Sequence, residues 1–424
     1  MKRKLIAISL LAALLVSCGK ESATENTTKP DTSATTETTV EEQTEQPAAD
    51  SAPEYTVTSV SADGYDYFEG RIECLQITDG QHEKLAKAID EFFSKRVSDF
   101  NSSVDSYNKD SEEQNKEMKK SAEENGDTYE TIKYSDNVTV SVVRADNQVF
   151  SFKIYDYIYL GGAHGGTNVT GYTFDSKTGE QLTIDSFGDK ASIANTADIF
   201  ILNSIAESSD QARAGLFDDD ALSYVTAIDD YFTKTELPAY YLSNRGIVFV
   251  FQQYDIAPYA SGIIEFVVPY TQFEDFNKAY IPEDGFYSED LSGLGLIARI
   301  DVNDDGELDT VAVATIDDSD NNSYGYEITV GNDTVKEKRD EYVYTAGHYI
   351  HTTSGNYILV ECSGESYTLY DVTNGIKKLG SINSALTIKE IKDGEIILAE
   401  ATYTETGITW GEPEVHKYSK NGIE

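Results

Sequence analysis

Residues 137–175 constrain the fold more than any other stretch. Val138, Val140 and Val142 alternate with polar residues, Ala145-Asp146-Asn147 offers a tight turn, and a second alternating run follows over residues 148–160. A period of two sends successive side chains to opposite faces of a strand. A short turn between two such runs makes them an antiparallel hairpin. The second run places Phe152, Ile154 and Ile158 on one face and Tyr155, Tyr157 and Tyr159 on the other. Such a stripe is more often one sheet face packed on helices than a ligand surface, although tyrosines can also stack on sugar rings.

The flanking segments extend this pattern. Residues 55–76 are strand-like. Leu85, Ile89, Phe92, Phe93 and Phe100 then fall at helical spacing behind Asp79, the expected N-cap, and that helix should end near Gly126. A strand over 168–175 turns at Asp175-Ser176-Lys177-Thr178-Gly179. Helices are expected over residues 190–207, burying Ile193, Ile199, Ile201, Leu202 and Ile205, and over 218–233. Strands follow over 239–243, 246–251 and 262–268, with Asn244-Arg245-Gly246 turning the first into the second. The class is α+β: an antiparallel sheet with helices on one side. Past Ile281-Pro282-Glu283-Asp284-Gly285 the texture changes to short β runs split at Asn321-Asn322, Asn374-Gly375 and Asp393-Gly394. This implies a smaller all-β C-terminal domain, either a sandwich or a few blades of a propeller-like sheet.

The N-terminus supplies an address. Lys2-Arg3-Lys4, an apolar run over residues 5–16 and Leu15-Val16-Ser17-Cys18 form a secretory signal peptide. The apolar run is shorter than the roughly 20 residues a spanning helix needs. The Leu-x-Ser-Cys ending resembles the bacterial lipobox. The resemblance implies cleavage before Cys18 and a diacylglycerol thioether on it, with palmitate-type chains holding the protein at the outer face of the cell membrane. Residues 19–54, rich in Thr, Glu, Ser, Ala and Pro, are expected to form a disordered acidic tether. The expected domains are thus 1–18, 19–54, 55–160, 161–282 and 283–424.

Charge limits the partners. The 424 residues carry 75 acidic against 33 basic side chains, a net −42. Such a surface repels nucleic acid and anionic polymers, and it steers basic proteins and divalent cations inward. Cys74 and Cys362 lie far apart among apolar neighbours, so they are expected in cores and outside any disulfide framework.

Two local motifs suggest chemistry. In Asp301-Val302-Asn303-Asp304-Asp305-Gly306-Glu307-Leu308-Asp309, oxygen side chains at the first, third and fifth positions converge if the chain turns at Gly306. Asp301, Asn303, Asp305, the Glu307 carbonyl and Asp309 form a candidate calcium shell, since Ca²⁺ takes about 6–8 oxygens. The alternative is a solvated acidic turn. The twelfth position is Ala312 and a strand follows, unlike an EF-hand. His164, within Gly161-Gly162-Ala163-His164-Gly165-Gly166, is a candidate ligand-binding residue or a loop-packing histidine bonded to backbone. His348 and His351, three apart on a strand, face opposite sides and cannot chelate one ion together.

One set of residues carries a family resemblance. Tyr159-Leu160-Gly161-Gly162-Ala163-His164, Tyr172-Thr173-Phe174-Asp175, Gln181-Leu182-Thr183-Ile184, Phe251-Gln252-Gln253-Tyr254-Asp255-Ile256-Ala257-Pro258-Tyr259-Ala260 and Val267-Val268-Pro269-Tyr270 resemble the extracytoplasmic domain of RsiV-type anti-sigma factors. That domain also occurs in lipoproteins and beside the catalytic domain of PdaC-type peptidoglycan deacetylases, and the resemblance covers residues 65–280. It implies a surface module that senses or binds, with lysozyme the ligand in RsiV. No spanning helix, sigma-binding segment or deacetylase domain is recognisable, so neither activity carries over. The expectation is a non-enzymatic binding or sensing lipoprotein for a lysozyme-like basic protein or a peptidoglycan fragment. The rival is a wall-active deacetylase or hydrolase. A third possibility is an adhesive β module stiffened by calcium.

Overall fold

The structure, a computed structural model, describes residues 51–218, 223–234, 236–283, 285–318, 321, 323–404 and 407–424. The expected signal peptide, Cys18 and all but the last residues of the expected tether lie outside the described residues.

Sheet 1 has six strands in chain order: β1 (Tyr55–Ser61), β2 (Phe68–Ile77), β3 (Tyr134–Ala145), β4 (Val149–Tyr159), β5 (Gly166–Asp175) and β6 (Gln181–Leu182). The expected hairpin is β3–β4, with Asp146 Oδ1 accepting from the N–H groups of Gln148 and Val149 at 2.8 Å each. One pair, β2–β3, is parallel. A parallel pair needs a crossover, and helix α1 (Glu83–Asn125) supplies it. This helix is roughly 64 Å long at 1.5 Å per residue. Its N-cap is His82 instead of the expected Asp79. Asp79 organises the preceding turn, accepting from the N–H groups of Gln81 and His82 at 2.9 and 3.0 Å. Gly126 ends the helix in the left-handed conformation at φ 74°.

Leu85, Ile89, Phe93, Phe100 and Val104 of α1 pack on Phe68, Ile72, Phe150, Phe152, Ile154 and Phe174 of sheet 1. Each such burial is worth about 1.5–3 kcal/mol. The rear of α1 is held by polar contacts. Asn115 donates to the carbonyl of Ile132 at 2.7 Å and accepts from its N–H at 2.9 Å. That pair pins the returning chain to the helix just before β3.

Four helices follow: α2 (Ile184–Phe187), α3 (Lys190–Glu207), α4 (Asp210–Arg213) and α5 (Tyr224–Thr233). Helix α3 matches the expected bounds. The last starts later than expected, and residues 219–222 lie outside the described residues. Ile199, expected in the core, is 52% exposed. The buried face of α3 runs instead through Ile193, Ala194, Ala197, Ile201 and Ser204, and the near-continuous apolar sequence hid that phase.

Sheet 2 is β7 (Ala239–Leu242), β8 (Gly246–Phe251) and β9 (Ile264–Pro269). Every residue of β8 is buried. Ile247, Phe249 and Phe251 face α3 and α5, whereas Val248 and Val250 face sheet 1 beside Tyr155 and Val169. The layers therefore run α1, sheet 1, sheet 2, α3–α5, with each sheet carrying helices on one face. Gly171 on β5 permits the close approach: a Cβ there would lie 2.3 Å from the Tyr240 carbonyl oxygen.

The remainder is all β. After β10 (Tyr287–Asp290) come three successive meanders. The first is β11 (Ala298–Ile300), β12 (Asp309–Asp318), β13 (Ser323–Val330) and β14 (Asp333–Arg339). The second is β15 (Thr345–Thr352), β16 (Gly355–Cys362), β17 (Ser366–Asp371) and β18 (Lys377–Asn383), with β10 paired to the β15 edge. The third is β19 (Thr387–Lys392), β20 (Glu395–Ala399), β23 (Glu414–Ser419) and β24 (Gly422–Ile423), interrupted by the hairpin β21 (Ala401–Thr404) and β22 (Gly407–Trp410). In the middle meander Tyr349, Ile358 and Val360 pack on the first, while Ile350, Tyr357 and Leu359 pack toward the third. Stacked four-strand meanders fit the few-blades alternative better than a two-sheet sandwich.

Candidate functional site

The groove-bearing side of sheet 1 is the face turned away from α1. Sheet 2 covers only part of it. Lys153 is fixed there between both oxygens of Glu265, at 2.8 and 3.0 Å, and the ring of Tyr155. Farther along β4, Tyr157 and Tyr159 pass the rim of sheet 2 into an open groove with a cavity volume of 1380 Å³. Its floor carries Ser135, Asn137, Thr139 and Ser141, the outward set of β3, flanked by Glu69 and Glu73 of β2. The opposite wall is Thr387, Ile388 and Lys389 of β19 with Trp410 at the end of β22. The tyrosine stripe thus faces sheet 2 and the groove. The Phe152 face of β4 is the one that packs on the helix.

The glycine loop shapes one end. A Cβ at Gly165 would stand 2.4 Å from the Tyr157 ring, so glycine lets that ring lie against the backbone. His164 stacks on Tyr259 with ring centres 4.0 Å apart. Its Nδ1 meets the Gly165 carbonyl at 2.8 Å, and its Nε2 lies 3.3 Å from the Tyr254 hydroxyl. The two separated runs of the sequence motif meet here. Gln252 donates to and accepts from the backbone of Val169 at 2.9 and 2.8 Å, and Gln253 accepts from the Thr167 N–H at 3.0 Å. These amides add a short side-chain rung to the β5 edge, placing Tyr254 and Tyr259 beside His164.

Asp290, at the end of β10, also lines the groove. It is 84% accessible, yet His348 Nδ1 holds its Oδ1 at 2.7 Å. His348 Nε2 faces Glu361 at 3.6 Å. Burial resists the charge on His348, whereas Asp290 is open to solvent. The mutual hydrogen bond and attraction overcome that burial, lifting His348 to about 9 and lowering Asp290 to about 2. Asp290 therefore stays ionised at any physiological pH. No sequence signal marked it. Trp410 had one: it is the sole tryptophan of the chain.

The remaining sequence candidates lie elsewhere. The acidic loop turns at Gly306, φ 88°. Asp301 accepts from the N–H groups of Asp305 at 3.1 Å and Gly306 at 2.9 Å, Asn303 from Asp305 at 3.0 Å, and Asp305 from Glu307 at 2.8 Å. Asp309 accepts from Val302 at 3.3 Å. The first, third and fifth side chains thus turn into the loop, bonded to its backbone. Among the described residues no three His, Cys, Asp or Glu groups are gathered to hold a metal. His351 meets Asn356 Oδ1 at 2.7 Å, away from His348. Cys74 and Cys362 are free and buried, and burial pushes the Cys74 thiol up to about 11.

Comparison with known proteins divides the chain in the same order as the residues suggested. Residues 62–167 match the family described as Deacetylase PdaC, and residues 195–271 match a protein family of unknown function, DUF3298. The chain carries these two domains in succession. No curated protein matches it in sequence. Among the solved structures similar to it are two DUF3298 proteins. A DUF3298 family member from Bacteroides fragilis is 19% identical, with 54% of this chain and 96% of that one covered at a TM-score of 0.39. A DUF3298 family protein from Pseudomonas aeruginosa is 14% identical, with 56% and 99% covered at a TM-score of 0.36.

Proposed function

We propose that this chain is a non-enzymatic binding module of the cell envelope, tethered through a lipid on Cys18, that takes a wall glycan strand in the tyrosine-lined groove. The observation that carries this is the groove itself. Aromatic faces at Tyr157, Tyr159, the His164–Tyr259 stack and Trp410 surround a floor of serine, threonine and asparagine. Aromatic faces suit the C–H faces of sugar rings, and small hydroxyl and amide groups suit their hydroxyls. The groove is open to solvent and, at 1380 Å³, is large enough for several sugar units.

A basic wall-degrading protein is the second reading, favoured by the net charge of −42. Such an encounter is salt-dependent. Co-sedimentation of the chain with purified peptidoglycan, beside pull-down with lysozyme at low and high salt, separates the two. Retention on the wall polymer that is lost in Tyr157→Ala and Tyr159→Ala supports the groove. Retention by lysozyme alone transfers the function to the acidic surface. Mass change of the glycan during incubation would instead mark a wall-active enzyme.

A further inference from the structure

We propose that the groove selects glycan units with a free amine over N-acetylated ones, and that Asp290 is the residue that reads the amine. The proposal rests on the glycan reading of the groove and specifies its ligand.

Around Asp290 stand two cations, Lys153 and His348, and three carboxylates, Glu265, Asp290 itself and Glu361. Lys153 is committed to Glu265, and His348 is shared between Asp290 and Glu361. One negative charge is left over, and Asp290 is the member open to the groove. Its Oδ1 takes the His348 bond, and its Oδ2 has no hydrogen-bond partner among the described residues. Across the groove lie Lys389 of β19 and, along the floor, Glu69, Glu73 and Lys133. Glu69 and Lys133 are paired at 3.8 Å, and Glu73 with Arg71 at 3.2 Å.

An ammonium group at Asp290 would gain a charge-assisted hydrogen bond. It would also lie beside Tyr155, whose hydroxyl already senses the Asp290 charge, and aromatic faces attract cations. An acetamide at the same place offers a neutral N–H and brings a bulky carbonyl toward a fixed anion. Anionic sugars meet repulsion from the same carboxylate.

The test uses the full chain and two probes, a glucosamine tetramer and an N-acetylglucosamine tetramer. Trp410, the sole tryptophan and part of the groove wall, gives an intrinsic fluorescence signal. The expected result is at least roughly tenfold tighter binding of the amine form near pH 6, the size of a charge-assisted bond. Asp290→Asn, which can keep the contact with His348, should abolish that preference, so that the two tetramers bind alike. The preference should also shrink in the unaltered protein as pH rises past roughly 7.7, where an amine of this kind loses its proton. Asp290 keeps its charge through that range, so the loss would come from the ligand. Equal binding of both tetramers overturns the selection and leaves the glycan groove standing. Binding of neither overturns both.

Discussion

On the side of β4 that faces α1, Phe150, Phe152 and Ile154 are wholly buried, whereas Tyr155, Tyr157 and Tyr159 on the other side are only partly buried. The side chains are similar in bulk and share a strand, so the difference lies in what covers them. A 43-residue helix seals the first face. A short sheet closes only part of the second and leaves the rest as groove. The hydroxyl is the chemical trace of that difference, because a phenol needs a polar partner and a phenyl does not. One face therefore holds the fold, and the other is free to hold a ligand.

The sharpest way to break this contrast is Phe152→Ala. Its ring lies among Phe92, Phe93, Phe150, Tyr172 and Phe174. Chemical denaturation should show a loss of about 3–5 kcal/mol, while the protein that remains folded keeps its affinity for wall glycan. A loss of affinity without a loss of stability would mean the two faces are not separable in this way.

Asn115→Ala probes the polar end of the same helix-facing side. Removing both bonds to Ile132 leaves that residue's part-buried backbone groups without this partner, at a cost of about 1–3 kcal/mol. Hydrogen exchange should rise first at residues 128–133. Uniform exchange across sheet 1 would show that Asn115 supports the whole sheet and not the crossover alone.

Legibility in the sequence follows the same contrast. The hairpin around Asp146, the turn before Gly179 and the bounds of α3 were readable because each depends on neighbours within a few residues. The tyrosine stripe was readable as a face, but what lay over it was not, since sheet 2 begins some eighty residues later. In Gly246–Phe251 and Gly355–Cys362 most side chains are apolar, with no alternation to show a solvated side. Such runs announce burial on both faces without naming the neighbour on either. Asp290 and Trp410 reach the groove only through the stacking of the meanders, and no local pattern could place them there. The parallel β2–β3 pair was hidden for a related reason: the strand pattern is the same whichever way the crossover runs.

The helix-facing side also carries charge. Asp136 and Asp156 stand near each other there with Arg96 of α1 bonded to Asp156. Burial first, then the Asp156 charge, raise Asp136 to about 6 from 3.8 in spite of Arg96. The folded state thus binds its proton more tightly than the unfolded chain does. Its contribution to stability falls as pH rises from about 4 to 6 and is fully unfavourable above that window. Asp136→Asn should stabilise by about 1 kcal/mol at pH 7 after allowance for partial exposure, and by nothing near pH 3.5. Denaturation midpoints at the two pH values measure this. A gain that persists at low pH would trace to packing instead of charge.

The smallest effect concerns acids satisfied in another way. Asp290 is balanced by a histidine side chain, whereas Asp301, Asn303 and Asp305 are bonded to the N–H groups of their own loop. Those bonds pre-shape the turn, each carboxylate oxygen retains a further lone pair, and we propose that calcium occupies them weakly. With a dissociation constant near 1 mM, typical of extracellular modules, calcium at about 1 mM adds only about 0.4 kcal/mol. For a chain this large the melting temperature should rise by about 1 °C. Asp301→Asn should erase the rise, and magnesium at equal ionic strength should not reproduce it, because Mg²⁺ demands near-octahedral geometry. An equal response to both ions would assign the effect to screening of the −42 charge, and the loop would then be a hydrogen-bonded turn and nothing more.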